Sequence, residues 1–256
     1  MVHINSSLFV LALAAFTTAL PSAPPHSPPH NIVTQTTCNH KTYTYEGLSG
    51  FGFIPANFRD KFGDTLSAGS SIALERKSWK KKTRMVGGGA KKKQEVYYQG
   101  TLWMLPDRGW NTNGTTAWQP RVHEFQIDFV PIPLDTGVVS AVAPPNLKFS
   151  YKGTVLLTDP SGNPVAGLDP TTSLDFGDGF PAIPAAKFVG DGFGKDGPGG
   201  TRVSLDAEGL VLDPVGGFWI SDEYGPYVYR FDKQGKMTMA VRPPAAYIPV
   251  RNGADR

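Results

Sequence analysis

Glycine and proline divide this chain into short pieces, and their spacing restricts the fold more than any other feature of the sequence. The chain has 256 residues, of which 29 are glycine and 23 are proline. Both residue types are unfavourable inside helices, and the runs between them are short and apolar or alternating. This pattern is typical of antiparallel β-structure. We therefore predict an all-β fold, and a hydrophobic content of 40% is enough for a packed core.

The clearest β-pattern lies in the last quarter of the chain. Successive strands are expected within Arg202–Asp213 and at Gly217–Asp222, Tyr227–Asp232 and Met237–Val241, with turns that contain glycine or proline between them. Four short antiparallel strands in succession form one blade of a β-propeller. The sequence therefore predicts a β-propeller-like fold built of four-stranded blades.

A degenerate repeat supports this prediction. Gly100–Gly109 resembles Gly216–Gly225, and further on Val122–Phe125 resembles Val228–Phe231. The alignment pairs one tryptophan and one acid of each copy, namely Trp103 with Trp219 and Asp107 with Glu223. Self-similarity of this kind indicates repeated structural units. The alternative is a chance similarity between two aromatic hairpins.

The middle of the chain has weaker patterns. Strands are expected at Ser71–Glu75 and, as a strand or hairpin, at Asn146–Thr158. Gly167–Gly200 is rich in Gly, Asp and Pro, so we expect a long surface loop with one short strand at Ala185–Val189. Lys77–Lys93 matches no pattern around it and is expected to be an irregular, solvated insertion.

Positive charge is concentrated in one segment. Glu75–Glu95 has a net charge of +7, whereas the rest of the chain has −4, so the overall +3 hides a mildly acidic body. Such a segment could bind nucleic acid, but its central glycines and single tryptophan favour a solvated tether. We therefore expect no nucleic-acid partner.

The N-terminus has the features of a secretory signal. Leu8–Phe16 is an apolar run followed by small residues, and it is too short to span a bilayer, which needs about 20 residues. We predict a signal peptide at residues 1–19, a Pro-rich linker at 20–39 and a propeller domain at 40–256. A buried N-terminal helix is the alternative for the apolar run. The protein is expected to be secreted and to have no membrane partner, with a glycosylation sequon at Asn113.

Carboxylates near predicted strand ends are the candidates for chemistry. Strand ends from several blades converge at one mouth of a propeller, where carboxylates can share a hard cation such as Ca²⁺. The single cysteine excludes a cysteine-based zinc site. Taken one at a time, each acid can instead serve only to begin a turn. The acids are Asp107, Asp206, Glu208, Asp222 and Glu223.

Cationic and phenolic side chains are expected beside these acids. An anionic substrate would be held by a cation together with arginine side chains, although each arginine can instead be a structural ion-pair partner. The candidates are Arg108, Arg121, Arg202 and Tyr224.

Three blocks of the sequence carry a family resemblance: Gly100–Thr112, Gln119–Phe125 and Leu205–Phe231. They resemble the phytase-like family of secreted fungal proteins, described as having esterase-like activity of phytase. The resemblance implies a β-propeller and hydrolysis of phosphate or other esters. On matching motif positions it implies roles for Asp107, Arg108, Glu208, Asp222 and Glu223. Family members continue with further blades, so we expect an incomplete, C-terminally truncated propeller.

We therefore expect a secreted, metal-dependent ester hydrolase that acts on a small anionic phosphoester. The predicted catalytic residues are Asp107, Arg108 and Glu208; the predicted metal ligands are Glu208, Asp222 and Glu223; and the predicted substrate-binding residues are Arg121, Arg202 and Tyr224. The expected cofactor is a divalent cation, with Ca²⁺ as the first choice. The alternative is a non-catalytic propeller that binds a phosphate, sugar or protein ligand.

Overall fold

The structure is a computed structural model and describes residues 34–45, 47–110, 112–131, 144–248, 250–251 and 254–255. These residues form β-strands and two short 3₁₀ turns, and they contain no α-helix. The prediction of an all-β fold is therefore confirmed. The chain divides into two units, residues 1–46 and residues 47–256. The predicted signal peptide and residues 20–33 of the predicted linker lie outside the described residues.

The first unit contains one exposed hairpin. Strands β1 (Thr34–Cys38) and β2 (Lys41–Tyr45) pair antiparallel. Asn39 and His40 connect them with φ angles of 50° and 59°, as a two-residue turn with both residues in the left-handed region requires. Strand β1 overlaps the end of the predicted linker.

The largest sheet of the second unit has the order β3-β5-β6-β7, with β4 paired to the first half of β5. The five strands are β3 (Ala68–Leu74), β4 (Lys80–Val86), β5 (Lys93–Pro106), β6 (Arg121–Phe129) and β7 (Leu147–Leu156). The strand predicted within Asn146–Thr158 is confirmed as β7.

The prediction of an irregular loop at Lys77–Lys93 is wrong. Strand β4 pairs with β5 in continuous register from Lys80 opposite Gln99 to Val86 opposite Lys93. We call β4 and the first half of β5 the β4–β5 ribbon. At its base the ring of Trp79 stacks on that of Tyr98, with centroids 5.6 Å apart. Lysine has a low β-propensity, so the sequence pattern does not predict β4. Pairing with β5 nevertheless makes this segment a strand.

A three-stranded sheet replaces most of the surface loop predicted at Gly167–Gly200. It contains β8 (Thr172–Leu174), β9 (Ile183–Phe188) and β10 (Gly200–Val203) in the order β10-β9-β8. Ile183 to Ala186 are buried, so this segment belongs to the core rather than to the surface. The short predicted strand lies two residues too late.

The last four-stranded sheet agrees with the predicted blade. Its strands β11 (Ala207–Leu212), β12 (Phe218–Asp222), β13 (Val228–Phe231) and β14 (Met237–Val241) pair in chain order. One short antiparallel pair follows, formed by β15 (Val250–Arg251) and β16 (Ala254–Asp255).

The sequence repeat corresponds to a structural repeat. Trp103 pairs with Glu124 across β5 and β6, and Trp219 pairs with Arg230 across β12 and β13. The same alignment that matches the tryptophans also matches their cross-strand partners. The matched residues therefore occupy corresponding positions in the β3-β5-β6-β7 and β11-β12-β13-β14 sheets, which supports the repeat.

Five hairpin or loop turns share one local motif, Asp-x-x-Gly-x. In each, the carboxylate of the first Asp accepts the N–H of the third residue at 2.8–3.0 Å. The fourth residue is glycine with a φ between 86° and 96°, a left-handed conformation that favours glycine. The turns are Asp60–Asp64, Asp159–Asn163, Asp191–Lys195, Asp213–Gly217 and Asp232–Lys236.

The sheets of the second unit share one hydrophobic core. It joins Leu105 and Val122 of the first sheet, Ile183 of the second and Tyr229 of the third, all fully buried. The first strands of the two blades lie side by side, because the Leu210 N–H of β11 donates to Ser71 Oγ of β3 at 3.2 Å. This is a propeller-like arrangement, and its described strands do not close into a barrel.

Candidate acidic site

Three carboxylates from two different blades meet at the strand ends. Asp107 follows the end of β5, and Asp206 and Glu208 flank Ala207, the first residue of β11. Each contributes one carboxylate oxygen to a group in which all three lie within 4.8 Å of one another. We call Asp107, Asp206 and Glu208 the acidic cluster.

An irregularity in β11 places Glu208. Ala207 pairs with Asp222 and Gly209 with Ser221, so Glu208 is the extra residue of a β-bulge. Bulges redirect side chains at sheet edges and next to functional sites. Gly209 permits the close pairing, since a Cβ there would lie 2.5 Å from Ser221 Oγ.

Asp206 is the buried member of the cluster, with 3% of its side chain exposed. Its Oδ2 lies 2.8 Å from an Arg108 nitrogen, while its buried Oδ1 has no hydrogen-bond partner within the described part of the chain. The pKa of Asp206 is raised to about 7; burial is the largest cause, and the nearby Asp107 carboxyl is the second. A buried carboxylate oxygen without a donor requires a proton or a cation.

Glu223 adds negative charge to the same region. It follows β12 as Asp107 follows β5, and its N–H donates to the Asp206 carbonyl at 2.9 Å. Desolvation, then the charges of Asp107 and Glu223, raises the pKa of Glu208. The two equivalent acids of the repeat, Asp107 and Glu223, therefore both lie near enough to Glu208 for their charges to act on it.

Arg108 and Tyr224 lie beside the cluster and contact each other. Arg108 donates to the Tyr224 hydroxyl at 2.7 Å and lies over its ring, 5.1 Å from the centroid. The same guanidinium lies 3.7 Å from Asp169. The Tyr224 hydroxyl in turn donates to the Gly167 carbonyl at 3.2 Å. Burial and Asp169 raise the pKa of Tyr224, so the phenol stays protonated.

Asp222, predicted as a metal ligand, points its carboxylate at the backbone. Its Oδ1 accepts the N–H groups of Asp206 at 2.9 Å and of Tyr224 at 3.2 Å, and its Oδ2 accepts the Tyr229 hydroxyl at 3.3 Å. Burial raises the pKa of Asp222 to about 7. Asp222 therefore lies outside the acidic cluster and orients the segments that carry it.

The arginines predicted to bind substrate have structural partners instead. Arg121 is buried and bonds Asp60 and Asp64, each at 2.8 Å. Arg202 donates to the Ala117 carbonyl at 3.1 Å and lies over the Phe188 ring. Among the described residues, neither arginine has a hydrogen bond or ion pair with the cluster.

Asp206 is among the acids that the sequence offers for a cation site but not among the predicted catalytic residues or metal ligands, and Asp169 is not among the candidates at all. Asp206 stands two residues before Glu208 in a stretch of buried residues, and an acid within an apolar run is the signal that could have assigned it. Asp169 offers no such signal, because it lies in a Gly- and Pro-rich segment. Asn113 is exposed on a turn, and its glycosylation stays a prediction.

These features define a β-propeller-like protein with an acidic site at its strand ends. The profile of the phytase-like family, described as "Esterase-like activity of phytase", matches residues 95–256. The match covers more than half of the chain, which therefore belongs to the phytase-like family. No solved structure matches the chain.

One relative extends beyond this chain. A protein of Arthroderma benhamiae named "Uncharacterized secreted protein" is 48% identical over 224 residues, which are 87% of this chain and 41% of the relative. The chain thus spans about two fifths of that relative's length. The predicted secreted location is confirmed by this similarity. Among the described residues, no helix is long and apolar enough to cross a membrane.

Proposed function

We propose that the acidic cluster binds a divalent cation and forms the active site of a secreted hydrolase of phosphoesters. The observation that carries this proposal is that Asp107, Asp206 and Glu208 each bring one carboxylate oxygen within 4.8 Å of the others, and that Asp206 also has a buried Oδ1 with no hydrogen-bond partner among the described residues. The family description, which names an esterase-like activity, supports the reaction class.

Three carboxylate oxygens of the cluster are close enough together to share one calcium ion, whose remaining ligands would be other oxygens or waters. Calcium takes carboxylate oxygens at about 2.4 Å, so two of its ligands are at most about 4.8 Å apart. The three oxygens of Asp107, Asp206 and Glu208 lie within 4.8 Å of one another. These residues would hold the ion, with Asp107 and Asp206 in place of the predicted ligands Asp222 and Glu223. A bound cation would polarise a phosphoryl oxygen and lower the pKa of a bound water.

Arg108 would orient the anionic substrate from the other side. Its side chain is 23% exposed, and its guanidinium is held by Asp206 and Tyr224. A guanidinium fixed in this way stabilises negative charge that develops on a phosphoryl oxygen. Glu223 is exposed at the same strand end, where it could accept a proton from an attacking water.

The Glu208→Gln variant tests the proposal. Because the amide keeps the shape but loses the charge, we expect cation affinity, measured by terbium luminescence with Ca²⁺ competition, to fall about tenfold or more. Hydrolysis of 4-nitrophenyl phosphate should fall with it, and a chelator should abolish that hydrolysis in the parent protein. Glu75→Gln, at an exposed glutamate, is the matched control and should change neither. Unchanged terbium binding in Glu208→Gln would exclude the cluster as the cation site.

A non-catalytic binding module is the second candidate. It is favoured by the fact that Arg108 is already bonded to Asp206 and Tyr224, which leaves less of its charge for a transition state. If the protein binds cation and inorganic phosphate but turns over no ester with any divalent ion, this candidate replaces the hydrolase.

A further inference from the structure

A cleft of about 350 Å³ opens between the second sheet and the last blade. This volume lies within the range of small-molecule sites, about 300–1,000 Å³. One part of its wall carries hydroxyl groups, another is apolar, and one guanidinium reaches it. The lining includes Thr171, Thr172, Ser173, Pro184, Tyr227 and Arg242.

Two chain segments connect this cleft to the acidic site. Pro170 lines the cleft and follows Asp169, which lies 3.7 Å from Arg108. Gly225 also lines the cleft and follows Tyr224, whose hydroxyl accepts a bond from Arg108. Adjacent Cα atoms are about 3.8 Å apart, so the cleft is next in the chain, at two points, to residues that contact Arg108.

The apolar part of the cleft is rigid. Tyr227 is 6% exposed, its hydroxyl donates to the Ala182 carbonyl at 3.0 Å, and its ring stacks on Tyr229 with centroids 5.7 Å apart. Pro184 belongs to β9 and pairs with Ser173 of β8. Walls held in this way lose little conformational entropy when a ligand binds.

We propose that this cleft binds a flat aromatic group that carries an acidic substituent. The ring would pack against Tyr227 and Pro184, and the acidic group would face Arg242 and the hydroxyl of Ser173, which pairs with Pro184 on the same face of the sheet. If the proposed function holds, on which this last step rests, the aromatic group is the alcohol portion of the ester. The preferred substrate class is then an aryl phosphoester.

Binding of 2-naphthalenesulfonate tests the cleft without any reaction. We expect one site per chain by isothermal titration calorimetry. Ser173→Trp should fill the cleft and weaken this binding about tenfold or more. Ser161→Trp, at an exposed turn serine, is the matched control and should bind like the parent protein. Equal binding by Ser173→Trp and the parent would overturn the proposal.

A second variant separates loss of charge from loss of shape. Arg242→Gln should weaken binding of 2-naphthalenesulfonate and leave binding of neutral 2-naphthol unchanged. If Arg242→Gln changes neither, the guanidinium does not recognise the acidic group, and the ligand class is wrong. Circular dichroism establishes that each variant keeps the β-structure of the parent.

Turnover separates this inference from the proposed function. We expect 1-naphthyl phosphate to have a higher kcat/KM than methyl phosphate, and Ser173→Trp to remove the difference. Equal kcat/KM values for the two esters in the parent protein would overturn the link between the cleft and the ester. If neither ester is turned over, the proposed function fails, whereas the naphthalenesulfonate result still decides whether the cleft binds aromatic anions.

Discussion

Asp222 shows how one buried side chain can organise a site without belonging to it. Its carboxylate holds the N–H groups of Asp206 and Tyr224, the first a member of the acidic cluster and the second the partner of Arg108. Because Asp222 holds both backbone positions, the acidic cluster and the Arg108 guanidinium keep a fixed position relative to each other. The role that the sequence suggested, direct metal ligation, is replaced by a positioning role.

The pH dependence of stability tests this role. Burial raises the pKa of Asp222 from 3.8 to about 7, so the folded state holds a proton that the unfolded state releases between these values. The free energy of unfolding should therefore fall as pH rises from about 4 to about 7, by at most about 1.4 kcal/mol per pH unit for this group. Asp222→Asn, measured by urea denaturation with chelator present, should flatten this slope.

Two comparisons make that result specific. Asp206 has a pKa raised to about 7 as well, so part of the slope should remain in Asp222→Asn. Asp178→Asn is the control, because Asp178 is exposed and has a φ of 50°, a conformation that asparagine tolerates. The same slope in Asp222→Asn and in the parent would show that Asp222 is ionised in the folded state.

At the scale of elements, the β4–β5 ribbon is separable from the sheet that carries it. Strand β5 pairs with β6 only from Tyr98 onward. Residues 82–97 therefore form a two-stranded extension, in which β4 and the first part of β5 pair with each other and not with the rest of the sheet. Their side chains are largely exposed, and five of the sixteen residues are Lys or Arg. Lysines on an exposed edge discourage pairing with other chains, which explains why so much positive charge is compatible with a strand.

Removal of the ribbon should therefore cost little stability. Lys81 and Tyr98 are register partners, so residues 82–97 can be replaced by an Asn-Gly turn that joins them. We expect the free energy of unfolding to change by less than about 1 kcal/mol, since little apolar surface is lost. Trp79→Ala, which removes the stack on Tyr98 at the base of the ribbon, should cost more, about 1–3 kcal/mol, because the ring is partly buried. A ribbon deletion that unfolds the protein would show that the ribbon supports the sheet.

At the scale of the whole second unit, the three larger sheets depend on one another. Leu205 lies between β10 and β11, is fully buried, and donates its N–H to the Ala166 carbonyl at 2.9 Å. It packs in the core that all three sheets share. Residues 47–248 should therefore unfold as one cooperative unit rather than blade by blade.

Leu205→Ala tests this cooperativity. The cavity should lower the free energy of unfolding by about 2–5 kcal/mol, and tryptophan fluorescence and far-UV circular dichroism should still report one transition with the same midpoint. Val215→Ala, at a residue that is 82% exposed, should have almost no effect. Two separate transitions in the Leu205 variant would mean that the blades are independent.

The sequence alone determined the features that depend on neighbours along the chain. The four strands of the last blade and the paired tryptophans of the repeat follow from local alternation and turn residues. The Asp-x-x-Gly-x turns, which were not among the predicted features, also depend only on residues close to one another in the chain. In each turn the carboxylate bonds the backbone two residues away and the glycine supplies the left-handed φ.

Only the tertiary structure decided which charged groups, distant in the sequence, lie next to each other. Asp107 and Asp206 belong to different blades, and their meeting depends on β11 lying beside the first blade and on the bulge at Glu208. Arg121 was predicted to bind substrate, but it forms ion pairs with Asp60 and Asp64. The reason is the same, since no local pattern signals an ion pair across about 60 residues. Strand β4 likewise exists because β5 offers it backbone partners. Backbone conformation is set by adjacent residues, whereas burial and electrostatic pairing are set by how the sheets pack.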